Sequence, residues 1–379
     1  MPRVDVEPFT IAVADEVLSD LRTRLLDTRW PEAAPGPPWQ QGTDLAYLRD
    51  LVAYWIDGFD WRARERELNA LHHFHATVDG TRIHFVHERA ASGDGIPLIL
   101  THGWPSSFLE LLALVPLLSD RFDLVIPSLP GYGFSQRPHR TGVTSRFTAG
   151  LWRQLMHGLG YERYGAHGAD WGAAVSTFMA LDEPGPMIGL HLANLDSAPY
   201  TGPGSRPLSD AERAYVADFQ RWLDEERAYG AIQSTRPQSL AYGLNDSPAA
   251  LAAWILEKWR LWGDTGGDIE SRFSRDFLLT NVTLYWATAT IVTSMRDYFD
   301  NRWSPETAIG PDDFVRVPTA ISVFEHNFVA EGDMPREWAE RLYDVRRWTP
   351  MPRGGHFPAA EEPELLAADI AAFFTELAG

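Results

Sequence analysis

The sequence predicts an α/β protein with a mostly parallel central sheet that helices cover on both faces. Short apolar runs alternate with helical segments from residue 83 to about residue 200, and again from about residue 301 to the end of the chain. The runs are almost continuously apolar, as is typical of strands buried on both faces of a parallel sheet. The 379 residues suffice for one large domain with insertions, or for two modest domains.

Seven runs are predicted to form the strands of this sheet. They span residues 83–87, 97–101, 124–126, 164–167, 188–195, 319–324 and 348–351. Functional residues of such sheets gather beyond the carboxyl ends of the strands. We therefore expect the site in the segments that follow these runs.

Residues 1–75 are predicted to form a helix-and-meander segment packed on the main domain. Leucine and other apolar residues recur at helical spacing in residues 11–28 and again in residues 44–56. The intervening residues 31–38 are rich in proline and indicate an irregular connector.

The main domain is expected in two parts, residues 76–200 and 301–379. Residues 201–300 interrupt the alternation and indicate helices rich in aromatic residues, such as Trp222, Trp254 and Tyr285. An aromatic helical insertion between two sheet strands favours a cap over the strand ends. A helical subdomain without ligand contact is the alternative.

Composition excludes several classes of function. Lys and Arg total 33 against 52 Asp and Glu, so the net charge is −19, which disfavours nucleic acid and anionic membranes as partners. The chain has no cysteine, which excludes disulfides and a thiol nucleophile and fits a cytoplasmic location. There is no signal-like N-terminus and no run of about 18 apolar residues, so we expect no membrane span. The sequence is compatible with both a monomer and a homo-oligomer.

The stretch Gly168-Ala169-Asp170-Trp171-Gly172 indicates a sharp turn between a strand and a helix. Its glycines allow a tight bend that lifts the side chain of Asp170 above the sheet. A carboxylate placed there can attack carbon and form an ester. Taken alone, an aspartate between glycines is as often an ordinary turn residue.

His356 makes the catalytic interpretation of Asp170 the stronger one. It lies in Arg353-Gly354-Gly355-His356-Phe357, after the last predicted strand and before a final helix at about residues 362–377. The α/β-hydrolase fold places its base there, in the chain order nucleophile, acid, histidine. We expect His356 to meet Asp170 above the sheet.

The third motif is His102-Gly103-Trp104-Pro105, which follows an early strand. The α/β-hydrolase fold takes one oxyanion-hole N–H from this loop and the other from the residue after the nucleophile. We expect the backbone N–H groups of Trp104 and Trp171 to fill these roles and stabilise a tetrahedral anion. A tight turn without a catalytic role is the alternative.

With these motifs the chain resembles an epoxide hydrolase of the microsomal type over nearly its whole length. Further similar stretches are Thr235-Arg236-Pro237, residues 244–248, Ile255-Leu256-Glu257-Lys258, residues 279–286 and residues 361–366. The resemblance implies an α/β-hydrolase fold with a helical cap and a preceding N-terminal domain. It also implies a soluble, bacterial-style relative without a membrane anchor, acting on a small-molecule epoxide and water with no metal or organic cofactor.

The same resemblance assigns two cap tyrosines to the epoxide oxygen. The matching positions are Tyr229, six residues before Thr235-Arg236-Pro237, and Tyr298, in Met295-Arg296-Asp297-Tyr298. A phenol is a neutral donor near pH 7 and can stabilise an opening alkoxide.

The acid that orients the histidine departs from the family pattern. The family places Glu or Asp shortly after the strand at residues 319–324, where this chain has Asn327. An amide can orient the imidazole but does not stabilise its cation. Glu325 and Asn327 are the favoured candidates, and the other candidates are Glu331, Asp333 and Asp196.

We therefore expect conversion of an epoxide to a vicinal diol through a covalent ester on Asp170. The aromatic cap suggests a bulky or aryl epoxide, in detoxification or natural-product biosynthesis. A haloalkane-dehalogenase-like reaction is one alternative, since the Trp171 indole could bind halide. A slow or impaired hydrolase that mainly binds its ligand is another.

Overall fold

The computed structural model describes residues 4–193, 195, 197–326 and 334–378. The strands in these residues form one nine-stranded sheet in the order β1-β2-β3-β5-β4-β6-β7-β8-β9. Their bounds are β1 Val6–Phe9, β2 His73–Val78, β3 Thr81–Glu88, β4 Ile96–Thr101, β5 Phe122–Pro127, β6 Tyr164–Ala169, β7 Met187–Ala193, β8 Val315–Phe324 and β9 Tyr343–Met351. Strands β4 to β9 pair in parallel, and β1, β2 and β3 add an antiparallel edge that joins β5.

All seven predicted strands are confirmed, as β3 to β9. The central strands β5 and β6 are buried at every position, which explains their unbroken apolar runs. Strands β1 and β2 were not predicted. Strand β1 lies at the sheet edge with no buried residue, and β2 carries His73 and His75 in place of an apolar run.

Helices cover the sheet and build a separate layer above it. Those before the insertion are α1 Asp15–Leu26, α2 Leu45–Asp57, α3 Trp61–Leu68, α4 Val115–Leu118, α5 Ser145–Gly158 and α6 Trp171–Asp182. Those of the insertion are α7 Asp210–Glu225, α8 Ala228–Gln233, α9 Pro237–Asp246, α10 Pro248–Trp262, α11 Arg275–Thr288 and α12 Ile291–Trp303. The last are α13 Arg336–Ala339, α14 Pro358–Glu361 and α15 Pro363–Ala378, and 3-10 turns occupy Phe108–Leu114, Ile269–Ser271 and Pro305–Thr307.

The insertion between β7 and β8 is helical, and we call helices α7 to α12 the cap. Its first helix begins with a capping box, in which Ser209 and Glu212 satisfy each other's backbone N–H groups. The carboxylate of Glu212 also pairs with Arg341, which precedes β9. This ion pair ties the start of the cap to the sheet domain.

The N-terminal helices contact the cap as well as the sheet domain. The hydroxyl of Thr43 donates to the carbonyl of Ala253 at 2.6 Å, and the indole of Trp55 donates to Thr283 at 3.0 Å. Arg24 pairs with Asp246 at 2.7 Å. The N-terminal segment therefore supports the cap from the side.

None of the helices in the described part of the chain combines the length and the apolar character that crossing a membrane would require.

Candidate active site

Asp170 occupies the sharp turn between β6 and α6. Its backbone has φ of 53° and ψ of −130°, a strained conformation for a residue with a side chain. The neighbouring glycines are required, because a Cβ on Gly168 would lie 2.1 Å from the carbonyl oxygen of Gly172, and one on Gly172 would lie 2.0 Å from that of Thr101. The turn thus presents Asp170 at the carboxyl end of a central strand.

Two backbone amides hold one oxygen of this carboxylate. The N–H of Trp104 donates to Asp170 Oδ1 at 2.8 Å, and that of Trp171 donates to the same atom at 2.7 Å. Both donors are the expected oxyanion-hole groups. Oδ1 therefore already lies where the charge of a tetrahedral anion would develop.

His356 lies against the other oxygen of Asp170. Its Nε2 is 3.3 Å from Asp170 Oδ2, so the structure brings the predicted nucleophile and base together. The His356 side chain is 3% exposed and that of Asp170 is 18% exposed. The loop after β9 holds the base in place, since the His356 amide donates to the carbonyl of Trp262 at 2.9 Å.

The predicted cap tyrosines pack against Trp104 and Trp171, whose amides bind Asp170. Tyr229 in α8 and Tyr298 in α12 are both buried, and their ring centroids are 5.9 Å apart. The Tyr229 ring stacks on Trp104 at 5.5 Å, and the Tyr298 ring meets Trp171 edge-on at 4.9 Å. Both tyrosines therefore contact residues whose amides bind Oδ1 of Asp170.

The orienting acid is not located by the described residues. Glu325 is exposed at the end of β8, whereas His356 is buried, and this arrangement does not favour Glu325. Asn327, Glu331, Asp333 and Asp196 lie outside the described residues.

His102 lies in residues 102–107, the segment after β4 that contains the Trp104 amide, which we call the oxyanion loop. Its ring links this loop to the segment that follows β5. Its Nε2 accepts from the backbone N–H of Leu129 at 3.2 Å, which requires that this nitrogen carries no proton. Burial lowers the pKa of His102 to about 4, so the ring is neutral at physiological pH.

Two residues of α11 that the sequence analysis assigned no role anchor the same loop. Asn281 donates to the carbonyl of Pro105 at 2.9 Å and accepts from Ser107 at 2.9 Å. The hydroxyl of Tyr285 donates to the carbonyl of Ser106 at 2.6 Å. Asn281 and Tyr285 both lie in residues 279–286, which resemble the family, and this resemblance is the sequence feature that could have indicated a role for them.

Lys258 is a further residue whose place the sequence analysis missed. It is the only lysine in the sequence, yet it is 4% exposed and lies in α10 of the cap. Its Nζ is 4.7 Å from the ring centroid of Tyr229 and 2.7 Å from a carboxylate oxygen of Glu257. The sequence feature that could have drawn attention to Lys258 is that it is the single lysine among 33 lysine and arginine residues.

Among the residues that the structure describes, no three His, Cys, Asp or Glu side chains are grouped so that they could hold a metal ion.

Comparison with known proteins places this chain in a family. The family model "Epoxide hydrolase N terminus" matches residues 6–111, and the model "alpha/beta hydrolase fold" matches residues 96–304. Rabbit (Oryctolagus cuniculus) epoxide hydrolase 1 is 35% identical over 404 residues, covering 97% of this chain and 88% of that protein. The chain belongs to the epoxide hydrolase family.

Solved structures of epoxide hydrolases agree with this assignment. The juvenile hormone epoxide hydrolase of the silkworm Bombyx mori superposes with a TM-score of 0.86 at 31% identity, covering 100% of this chain and 95% of that one. The Aspergillus niger epoxide hydrolase gives a TM-score of 0.85 at 29% identity, covering 99% and 97%. The predicted fold and family are confirmed.

Proposed function

We propose that this protein hydrolyses a bulky or aryl epoxide to a vicinal diol through an ester formed on Asp170. One observation carries the proposal. Two amides bind Oδ1 of Asp170, while Oδ2 faces the imidazole of His356. The two oxygens are thus prepared for different roles, Oδ2 as nucleophile and Oδ1 as the future oxyanion.

In the first step Oδ2 attacks one epoxide carbon from the face opposite the ring oxygen. The C–O bond of the ring breaks as the bond to Oδ2 forms, and the oxygen takes a proton from Tyr229 or Tyr298. The position of both rings above Trp104 supports this role. The product of the step is a glycol ester of Asp170.

In the second step Nε2 of His356 takes a proton from water, and the water oxygen attacks Cγ of Asp170. Negative charge develops on Oδ1, where each backbone donor can supply up to about 3–4 kcal/mol. The bond from Cγ to Oδ2 then breaks, and the leaving glycol oxygen takes the proton from His356. The remaining acid proton returns to the phenolate, which restores the starting state.

The partner that orients His356 is proposed to be Asn327 in the segment that follows β8. The acidic alternatives are Glu325, Glu331 and Asp333 in the same segment and Asp196 after β7. Asn327→Ala, Glu331→Gln and Asp333→Asn can be compared by their rates of ester hydrolysis. The residue that orients the base is the one whose loss slows this step most.

The substrate class follows from the rings around the reacting atoms. The Tyr229 ring contacts those of Trp104, Trp262 and Tyr298, and the Trp104 ring also contacts those of Trp262 and Tyr298. The centroid separations run from 5.1 to 6.1 Å. A wall of aromatic rings favours flat apolar substituents. We expect aryl epoxides to give higher kcat/KM than short aliphatic ones, and a chloroalkane to release no halide.

A single turnover in heavy-oxygen water, with enzyme in excess over epoxide, tests the proposal. Because the diol departs with Oδ2, the first diol should be unlabelled and the peptide that contains Asp170 should gain the label. Label in the first diol would show direct attack by water and would refute the ester. Asp170→Asn, assayed before its amide can hydrolyse, should form neither diol nor ester.

A further inference from the structure

The carboxylate of Glu361, at the end of α14, is an unexplained buried group close to the base. It is 9% exposed and accepts three backbone hydrogen bonds. Oε2 accepts from Asp264 at 2.7 Å and from Gly355 at 3.0 Å, and Oε1 accepts from Phe357 at 2.8 Å. A carboxylate with three backbone donors is a strong, directional clamp.

These donors lie on both sides of the base. Gly355 and Phe357 are the residues immediately before and after His356, whose own amide donates to the cap carbonyl of Trp262 at 2.9 Å. We call residues 355–357 the base loop. Hydrogen bonds hold all three of its backbone amides, two of them through Glu361. The backbone of His356 has little freedom to shift independently of this carboxylate.

The third donor belongs to the cap. Asp264 lies just after α10, and its amide shares Oε2 of Glu361 with Gly355. The two backbones touch here, since a Cβ on Gly355 would lie 2.6 Å from the Asp264 nitrogen. One carboxylate thus holds the base loop and the cap turn against each other.

We propose that Glu361 is a positioning residue that couples the cap to His356 and so sets the rate of ester hydrolysis. The inference rests on the proposed function, because it assigns Glu361 to the second half-reaction only. Nucleophilic attack by Asp170 depends on β6, α6 and the oxyanion loop, none of which donates to Glu361.

The charged groups around Glu361 and its burial affect the protonation of its carboxylate. Burial raises the pKa of Glu361 to about 7, although the three backbone N–H groups favour the ionised form. The carboxylate of Asp264 also raises the pKa of Glu361, and the charge of Glu361 in turn raises the pKa of Glu110. Arg272 and Arg353, the neighbouring cations, bind Glu362, and Arg272 also binds Asp264. Protonation of Glu361 below neutral pH converts one acceptor oxygen into a hydroxyl and weakens the clamp.

The adjacent Glu362 provides a matched control. It is also buried and also links the two layers, but it does so through the side chains of Arg272 and Arg353. Glu362→Gln removes a buried charge one residue away from Glu361, and it leaves the hydrogen-bond acceptor of the Gly355 and Phe357 amides in place. Glu361→Gln places an NH₂ group against at least one backbone donor.

Single-turnover measurements on the full chain separate the two half-reactions. Formation and loss of the ester are followed by rapid quench and intact mass, with styrene oxide as the probe. For Glu361→Gln we expect ester hydrolysis to slow by about tenfold or more, with ring opening within about twofold of the wild type. The decrease in the rate of ester hydrolysis that protonation of Glu361 causes below neutral pH should also be absent from this variant. For Glu362→Gln we expect the two rates to keep their ratio.

Equal loss in both half-reactions, or unchanged ester hydrolysis in a folded Glu361→Gln, would overturn the inference. Glu361→Asp is the second variant, which keeps the charge but is too short for all three donors. It should slow ester hydrolysis by a smaller factor, and an unchanged rate would again contradict the role. Failure of the proposed function is distinguishable, because the wild type would then form no ester at all.

Discussion

Nε2 of His356 lies 3.3 Å from Oδ2 of Asp170, the oxygen opposite the one that the amides of Trp104 and Trp171 bind. In the proposed mechanism, this arrangement sets the order of the two steps. The base faces the oxygen that takes up the substrate carbon, so a water that it activates approaches Cγ from the side of the leaving group. The oxyanion forms on the far side, where its donors are already in place.

Gly103 is the residue on which this geometry depends most directly. A Cβ at this position would lie 2.2 Å from Oδ1 of Asp170 and 2.4 Å from its Cβ. Gly103→Ala should therefore push the nucleophile out of the oxyanion hole and lower kcat/KM by about a hundredfold or more. Steady-state diol formation measures the effect.

Gly243→Ala is the control for that substitution. Gly243 lies in α9, and a Cβ placed on it would meet no heavy atom within 4 Å apart from its chain neighbours and the backbone of its own helix. Alanine should therefore leave activity unchanged and slightly stabilise the helix. Wild-type activity in Gly103→Ala, or an equal loss in both variants, would contradict the argument.

The two cap tyrosines should act only in ring opening. Tyr229→Phe and Tyr298→Phe should each slow ester formation by about tenfold to a hundredfold, and the double variant by about a thousandfold or more, because the developing alkoxide loses its donors. Rapid-quench measurement of ester formation tests this. Tyr242→Phe is the control, since Tyr242 is 73% exposed on the cap. Near-normal ester formation in the double variant would remove both phenols from the mechanism.

The sequence predicted which groups lie together at the candidate site, because each belongs to a short motif with a physical reason. The glycines around Asp170 and the position of His356 after the last strand predicted a pair that the structure brings to 3.3 Å. The amides of Trp104 and Trp171 were likewise predicted from the ends of β4 and β6, and the structure places both on Oδ1.

What the sequence could not predict are contacts that join distant segments. Asn281 meets the oxyanion loop from 174 residues away, and Glu361 receives an amide from Asp264, 97 residues earlier. No periodicity or local spacing records such pairs. Strand β1 escaped prediction for a related reason, since an edge strand with no buried residue lacks the apolar pattern that identifies a strand.

Lys258 should strengthen Tyr229 as a proton donor. Its ammonium lies 4.7 Å from the ring centroid in a buried site, where a cation lowers the cost of negative charge developing on the phenol. Lys258→Met should slow ester formation by about fivefold to thirtyfold, equivalent to roughly 1–2 kcal/mol. Rapid-quench kinetics measures this rate.

A double-mutant cycle decides whether the effect passes through Tyr229. If it does, Lys258→Met should cost little further rate in the Tyr229→Phe background. The same loss in both backgrounds would show that Lys258 acts on the cap as a whole.

Glu110 should make the stability of the fold depend on pH near neutrality. Burial raises the pKa of Glu110 to about 8, and the carboxylates of Asp170 and Glu361 raise it further against a lowering by Ser106. A raised pKa of a carboxyl group means that the folded state binds the proton more tightly than the unfolded state. The contribution of Glu110 to the free energy of unfolding is therefore fully present below the unfolded pKa of about 4.3. It is lost as the pH rises through about 8, the pKa in the folded state.

Glu110→Gln removes this titration, so its melting temperature should fall less than that of the wild type between pH 6 and pH 9. The difference should favour the variant by a few degrees at pH 9, where the wild type buries a carboxylate. Glu340→Gln is the control, because the side chain of Glu340 is 45% exposed and its pairing with Arg336 is a surface ion pair. Calorimetry over this pH range measures both variants, and parallel melting curves for wild type and Glu110→Gln would show that Glu110 does not titrate near neutrality.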